Sequence, residues 1–445
     1  MSVIQQAQLA KEASIRLAAL PTEAKNKAIH AMADAIKKNK SRILKGNAKD
    51  VEEAKKSKLK DALIKRLILN EEKINAMMDE LNDVAGLDDP VGKILSVMEL
   101  DKDLALYKVS CPIGVIGAIF ESRPDAAPQI SSLCLKSGNA VILKGGSEAR
   151  NSNKILVETL SKAAENAGIP KGSIQLIETR EEVREMLKMD KYIDLIIPRG
   201  SNKFVKYIQD NTRIAVLGHS EGICHVYIDK DADLEKAVGI SLDAKCQYPA
   251  VCNAMETMLV HKDIGEKFLP IIIKKFLENN VELRLDNKSL SMLNKSMKSI
   301  MKSKNIKKAT EKDWGTEYND LILSIKIVND ADEAVNHINK YGSKHTDAIV
   351  TENKEAADKF MNFVDSSSVM WNASTRFADG YRYGKGAEVG ISTAKIHARG
   401  PVGLGGLVIY KYKLIGNGHV VKDYIGKGAR RFIHKKKFLP SEEIF

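Results

Sequence analysis

Only five cysteines occur in 445 residues, Cys111, Cys134, Cys224, Cys246 and Cys252, and no two of them form a Cys-x-x-Cys pair. An odd, sparse set of this kind excludes a disulfide framework and a structural zinc site, so reduced thiols and no metal are expected. Long apolar runs are also missing. No stretch approaches the roughly 20 uninterrupted apolar residues of a membrane span. The amino-terminal MSVIQQAQLAKEASIRLAAL is amphipathic rather than built like a signal peptide, and the reading is a cytoplasmic chain with no membrane partner. Charge is present in excess, a formal +12, but the lysines are dispersed along helical segments instead of clustered. Such a surface argues against a nucleic-acid partner and for a field that concentrates anionic small molecules. No internal repeat occurs. The G-x-G-x-x-G dinucleotide fingerprint is absent too: Gly114 and Gly117 sit inside a strand, and Gly384, Gly386 and Gly390 follow none.

What is present is enough chain for two or three packed domains, 44% of it hydrophobic. Residues 3 to 90 carry helical periodicity, with a break at Pro21-Thr22 where Thr22 is the expected N-cap. VGKILSVMELDKDLALYKVSCP alternates apolar and polar residues around a charged Asp101-Lys102-Asp103 tip, the pattern of a strand pair turning in solvent. From residue 113 strands alternate with helices, which predicts an α/β fold with a mostly parallel sheet covered on both faces. Dinucleotides bind beyond the carboxyl ends of such strands. A second α/β region runs from about Asp229 to 370, interrupted by a lysine-rich surface excursion over 286 to 310. GLVIYKYKLIG at 406 to 416 reads as an exposed strand in need of a partner, either the 93 to 112 arm or another subunit. The domains are therefore expected as 1–92 with 113–228 for a dinucleotide, 229–400 for catalysis, 93–112 with 401–425 as an arm, and 426–445 as a loosely held basic tail.

The densest chemistry lies in DAKCQYPAVCNAMETMLVHK at 243 to 262. Cys252 is expected at the start of a helix, where unpaired backbone N–H groups and the helix dipole favour a thiolate. Pro249 stiffens the loop, and Asn253 places a polar side chain beside the thiol. Cys246 is the competing thiol on the same loop, whereas Cys111, Cys134 and Cys224 lie in strand or helix patterns suited to core packing.

This segment resembles the active-site loop of the gamma-glutamyl phosphate reductases, or glutamate semialdehyde dehydrogenases, of the aldehyde dehydrogenase superfamily. FESRPDAAPQISSLCLKSGNAVILKGGSEA, LIIPRGS and NASTRFADGYRYGKGAEVGISTAKIHARGPVGLGGL carry the same resemblance, which extends from about residue 5 to 425. AKCQYPAVCNAMET is closer to the reductase half of the bifunctional pyrroline-carboxylate synthases. The kinase half is not in this chain, so a separate glutamate kinase is the implied supplier of substrate. The resemblance implies an aldehyde dehydrogenase-like fold with a Rossmann-type cofactor domain, a catalytic domain and an oligomerisation arm, and hence a homo-oligomer.

It also implies a reaction: NADPH-dependent reduction of L-glutamyl 5-phosphate to the semialdehyde through a Cys252 thioester, in proline biosynthesis. Phosphate is expected to leave without an acid, and the oxyanion to meet the Cys252 N–H and a donor from Ser122-Arg123. Arg123, Arg376 and Arg399, with Asn253, Ser374, Thr375 and Asp379, are the implied substrate-binding group. Lys144 matches the lysine that contacts the adenosine ribose. Ser147 falls where NAD-preferring enzymes carry a glutamate, although Glu148 is adjacent. Gly200 and Ser201 open a helix that could meet the pyrophosphate or merely form a good turn. Glu317 resembles the glutamate that holds the nicotinamide ribose, and His397 reads as a proton donor or, more simply, a hydrogen-bonded structural residue. In IAVLGHSEGICHVYID, Leu217-Gly218 stands where hydrolytic aldehyde dehydrogenases have a glutamate base, with Glu221 three residues further on. That departure separates a reductase from the first alternative, an aldehyde-oxidising dehydrogenase of the same fold. A basic RNA-binding protein on an old enzyme scaffold is the second alternative, and the presence of Cys252 argues against it.

Overall fold

The computed structural model describes residues 1–59, 61–200, 202–219, 221–296 and 303–437. Two separate parallel sheets, rather than one, organise the chain. In the first, Val115–Phe120 is central, flanked by Ala140–Lys144 and Leu195–Arg199, with Ile174–Leu176 and Ala215–Val216 outermost. In the second, Cys224–Ile228 lies between Met255–His261 and Thr346–Val350; Ile322–Val328, Glu282–Leu285 and Ile306–Lys308 extend one side and Ser368–Trp371 the other. The central strands are buried at every position, as Val115–Phe120 and Met255–His261 are. Helices covering both faces demand this, and it explains why these strands read as continuous apolar runs.

The amino-terminal helices divide between the two faces of the first sheet. Val3, Ala7 and Ala10 of Val3–Leu17 pack with Ile119 and Ile142 on one face, while Ile29, Met32 and Ile36 of Thr22–Lys38 join Ile116 and Leu143 on the other. Pro21, not Thr22, occupies the N-cap position. The Thr22 hydroxyl instead donates to Asp89 at 2.8 Å, so a tertiary contact has taken the side chain that local capping rules would use.

Ile94–Asp101 and Leu104–Pro112 form the expected antiparallel pair, and Val408–Ile415 pairs with residues 105–112 of the second strand. The tail departs from its expectation. Tyr424 stacks on Phe432 with centroids 4.4 Å apart, Ile433 N–H donates to Leu100 O at 2.8 Å, and Lys435–Lys437 pairs with Val97–Glu99. An open strand edge drew the tail in, since unpaired N–H and C=O groups template another strand.

Three further boundaries move. Cys224–Ile228 belongs to the second sheet, so the first domain ends before residue 224, not at 228. Val389, Val402, Leu404 and Leu407 return to the first core, although 229–400 had been assigned to catalysis and 401–425 to the arm. The lysine-rich 286–310 contains the helix Asn287–Ser296 and the edge strand Ile306–Lys308. These described residues lie at the edge of the second sheet, in keeping with a surface excursion.

Candidate active site

The carboxyl edge of the first sheet and the amino edge of the second supply the site. Strand ends of the first lead into Ser122, Lys144, Ser147, Arg199 and Gly200. Immediately before strands of the second sit Gly222, Cys252 and His345. Cys252 is half-buried on a turn between Leu234–Cys246 and Met255–His261, and no helix follows it. The helix-start expectation is therefore corrected. Asn-Ala-Met-Glu-Thr lacks a signal that distinguishes a helix entry from a tight turn into a buried strand, and pairing with Cys224–Ile228 decided for the strand.

Backbone packing fixes that turn. The Cys224 thiol donates to Cys252 O at 3.2 Å, and a Cβ on Gly222 would collide with the Cys252 backbone, so only glycine fits there. Glu317 accepts from the Gly222 N–H at 3.0 Å. Asn253 is buried and donates to Ala378 O at 2.9 Å, while Arg376 Nε donates to Gln247 Oε1 at 3.0 Å; together they tie the cysteine loop to residues 374–379. Beneath the loop, Lys245 and Glu256 form a fully buried pair at 2.7 Å. Burial pushes the Glu256 carboxyl up to about 7, against the pull of Lys245 and the Asn319 N–H. Burial also raises the other thiols: Cys246, with Lys245 opposing, Cys111, with Lys411 opposing, and Cys134 and Cys224 well above the usual range.

Two guanidinium groups lie within electrostatic reach of Cys252, those of Arg199 and Arg376. Burial lowers both from the usual arginine value, assisted by Arg123 for Arg199 and by Arg382 for Arg376. Arg376 was a candidate from the sequence; Arg199 was read only as the residue preceding a Gly-Ser turn. Arg399 is engaged elsewhere, donating to Thr393 O at 3.3 Å and to Asp365 at 3.2 and 3.1 Å. Asp379 caps a turn by accepting from the Tyr381 and Arg382 N–H groups. Ser374 Oγ accepts from the Arg376 N–H, and Thr375 is buried with an unpartnered hydroxyl. His397 Nε2 donates to the Gly406 carbonyl oxygen at 3.0 Å, a structural hydrogen bond.

Ser122 holds a positive φ of 45° at the end of the central strand. Its N–H and hydroxyl both donate to Glu148 Oε1 at 2.6 Å, so neither is available as the oxyanion donor expected of Ser122-Arg123. Arg123, paired with Asp125 at 2.9 Å, is the exposed member of that loop. Lys144 is half-buried and burial lowers its ammonium, with Glu148 opposing. Ser147 is exposed on the short 3₁₀ turn Ser147–Ala149, and Gly200 is exposed at the end of Leu195–Arg199. Ser201 lies outside the described residues.

The site also contains residues that sequence reasoning missed. His219 and His345 each bring a ring nitrogen close to Cys252 Sγ, and Glu388 lies near Arg199 and His219, its carboxyl raised chiefly by burial. Leu217, at the position of the absent glutamate base, has its side chain in the hydrophobic core.

The aldehyde dehydrogenase family model matches residues 1–312. A gamma-glutamyl phosphate reductase of Methanococcoides burtonii is 58% identical over 96% of this chain and 95% of its own. One from Acetivibrio thermocellus is 57% identical over 98% of each. The crystal structure of the Thermotoga maritima gamma-glutamyl phosphate reductase is 41% identical, superposes with a TM-score of 0.90, and covers 94% of this chain and 100% of its own.

Proposed function

The chain belongs to the aldehyde dehydrogenase family and, within it, to the gamma-glutamyl phosphate reductases; on that premise we propose that it reduces L-glutamyl 5-phosphate to the semialdehyde through a thioester on Cys252. The reaction releases phosphate and is the second step of proline biosynthesis. The observation that carries the residue-level reading is a half-buried thiol on a loop that Arg376 ties down through Gln247, with Arg199 at the end of the Leu195–Arg199 strand, while the Leu217 side chain faces the core. The cations suit a substrate with a carboxylate and a phosphate. Without a carboxylate at 217–218, no base at that position activates water against the thioester, so the acyl-enzyme survives until reduction.

Oxyanion stabilisation falls to the Cys252 N–H and a cationic donor, with Arg123 replacing Ser122 in that role. Thr375 and Asn253 each retain a buried, unpartnered oxygen, able to accept from the substrate ammonium. Arg399 and Asp379 serve at one remove, by holding the loops.

A nicotinamide dinucleotide fits the carboxyl edge of the first sheet. Gly145 and Gly146 have no room for a Cβ, and the buried Asn153 Oδ1 is an unpartnered acceptor in the groove they line with Ser147. Bound there, the cofactor would supply hydride. Glu148 accepts from Ser122 and still acts on the half-buried Lys144 ammonium, the cation assigned here to a ribose phosphate in reading the cofactor as NADPH. Gly200 would approach the pyrophosphate and Glu317 the nicotinamide ribose. Two further inferences complete the reading. The outer edge of Val408–Ile415 exposes Ile409, Tyr412, Leu414 and Ile415, a surface suited to a second copy in a homo-oligomer. A separate glutamate kinase in the same cytoplasm supplies the substrate; no helix among the described residues is long and apolar enough to cross a membrane.

The test is a coupled assay with glutamate kinase, ATP and glutamate, read as NADPH consumption. The reverse reaction discriminates against the aldehyde-oxidising alternative: with semialdehyde and NADP, turnover should require phosphate or arsenate. Rapid NADPH formation in phosphate-free buffer would mean that an activated water clears the thioester, with Glu221 and Glu388 the groups to change next.

A further inference from the structure

Two imidazoles stand beside the nucleophile. One ring nitrogen of His219, one of His345 and the Cys252 Sγ lie within 4.8 Å of one another, and the two rings meet edge to face with centroids 5.0 Å apart. Their environments differ. His345 is fully buried, with Nδ1 2.8 Å from Thr346 Oγ1 and an Nε2 that has no partner. A charge there would be costly. His219 is only half-buried, and its Nδ1 lies 3.0 Å from the Ile391 carbonyl oxygen. Because a carbonyl only accepts, that nitrogen carries the proton and Nε2 of the neutral ring holds the lone pair of a base.

Acylation needs such a base, and then its acid. When the thiol attacks an acyl phosphate, the C–S bond forms, the C–O bond to phosphate breaks, and the sulfur must lose its proton. The departing oxygen must gain one, since it would otherwise leave as the strongly basic phosphate trianion. One proton is released and one is required in the same step. We propose that His219 carries it, taking the Cys252 thiol proton and delivering it to the bridging phosphate oxygen. The balance is R–CO–OPO₃²⁻ plus Cys252–SH giving R–CO–S–Cys252 plus HPO₄²⁻, with His219 returned to its neutral form. This replaces the expectation that phosphate leaves unaided.

The surroundings suit a transient imidazolium. The Ile391 carbonyl orients the ring and faces its N–H. Glu388 supplies a nearby carboxylate, itself coupled to Arg199. The Cys224 thiol is engaged with the Cys252 carbonyl, which removes it from contention as the nucleophile. His345, fully buried, packs edge to face on His219.

The relay rests on the acyl phosphate reading above, and the experiment separates the two. His219→Asn keeps an N–H for the Ile391 carbonyl while removing the base; His219→Gln is the second variant. Three readouts are taken on the full chain: glutamyl phosphate reduction, the burst of p-nitrophenolate from p-nitrophenyl acetate, and Cys252 trapping by iodoacetamide at pH 6.5 and 9.5. Loss of a general acid–base group costs about 10²–10³-fold in rate, and that loss is expected for glutamyl phosphate at both pH values. Trapping should fall about tenfold at pH 6.5 and match wild type at pH 9.5, where hydroxide takes the thiol proton. The aryl ester burst at pH 9.5 should be unchanged, because p-nitrophenolate leaves without a proton. Unaltered glutamyl phosphate turnover, or equal losses with ester and acyl phosphate at pH 9.5, overturns the relay. Wild-type failure on glutamyl phosphate would overturn the function instead, and the trapping ratio would still decide whether His219 takes the thiol proton.

Discussion

The two parallel sheets use opposite edges. In the first, the candidate positions follow the strands: Ser122 after Val115–Phe120, Lys144 and Ser147 at the end of Ala140–Lys144, Arg199 and Gly200 at the end of Leu195–Arg199. In the second they precede them: Gly222 before Cys224–Ile228, Cys252 before Met255–His261, and His345 before Thr346–Val350. The first places its candidates where open α/β sheets bind ligands, beyond the carboxyl ends of the strands. The second does not, because its task is to face the first. A nucleophile carried at an amino edge is held by backbone contacts between neighbouring strands, as Gly222 and Cys224 hold Cys252, and is therefore rigid.

That contrast ranks the expected effects of substitution. Cys252→Ala should abolish turnover, a loss of roughly 10⁴-fold or more, whereas Cys246→Ala should keep most of it. Near-normal activity in the Cys252 variant would remove the covalent mechanism. Gly222→Ala touches no substrate, yet its Cβ would displace the Cys252 backbone. A shift of about 1 Å at a reacting group costs on the order of 10²-fold, so kcat should fall that far while circular dichroism stays native. If kcat is unchanged, the amino edge is more pliable than its packing indicates.

Lys245→Met tests the support under that edge. Removing one partner of a buried pair costs about 3–5 kcal/mol, measurable by urea unfolding, and adding Glu256→Leu should recover much of it. The sign with pH follows from Glu256. Its folded value, already raised to about 7, rises further once Lys245 is gone. A raised folded value means stability that is complete below the unfolded value of about 4.3 and is lost as pH rises through the folded one. The deficit of Lys245→Met should thus be smallest and nearly flat in acid and grow as pH rises past about 7, where only the wild-type Glu256 ionises in the folded state; a deficit constant with pH would assign the loss to packing alone. At the first sheet's carboxyl edge the effects should be gentler and confined to binding. Lys144→Ala should raise the KM for NADPH about tenfold, the size of one charge-assisted hydrogen bond, with kcat nearly constant. An equal KM for NADPH and NADH in wild type would argue against a phosphate contact at Lys144.

Much of this was readable before any coordinates. Apolar runs such as AVILK and YIDLIIP mark buried parallel strands, and the Asp101-Lys102-Asp103 tip falls at the turn between Ile94–Asp101 and Leu104–Pro112. Cys252, Lys144, Arg376 and Glu317 were reachable through their segments. Other features had no local trace. Ser122 looked like a free donor, but its partner Glu148 is 26 residues away. Arg199 was masked by the turn residues that follow it, and His345 lies 93 positions from the Cys252 it approaches.

By itself, then, the sequence determined the strand and helix alternation, the antiparallel strand pair and the family, and singled out Cys252 as the candidate nucleophile, because periodicity and long contiguous segments are local properties of the chain. Only the tertiary structure decided which strand edge carries Cys252, which donors are already engaged, and which histidines surround the thiol. Those depend on strand order and register, and register is set by burial of whole faces between distant segments, a quantity no single window of residues contains.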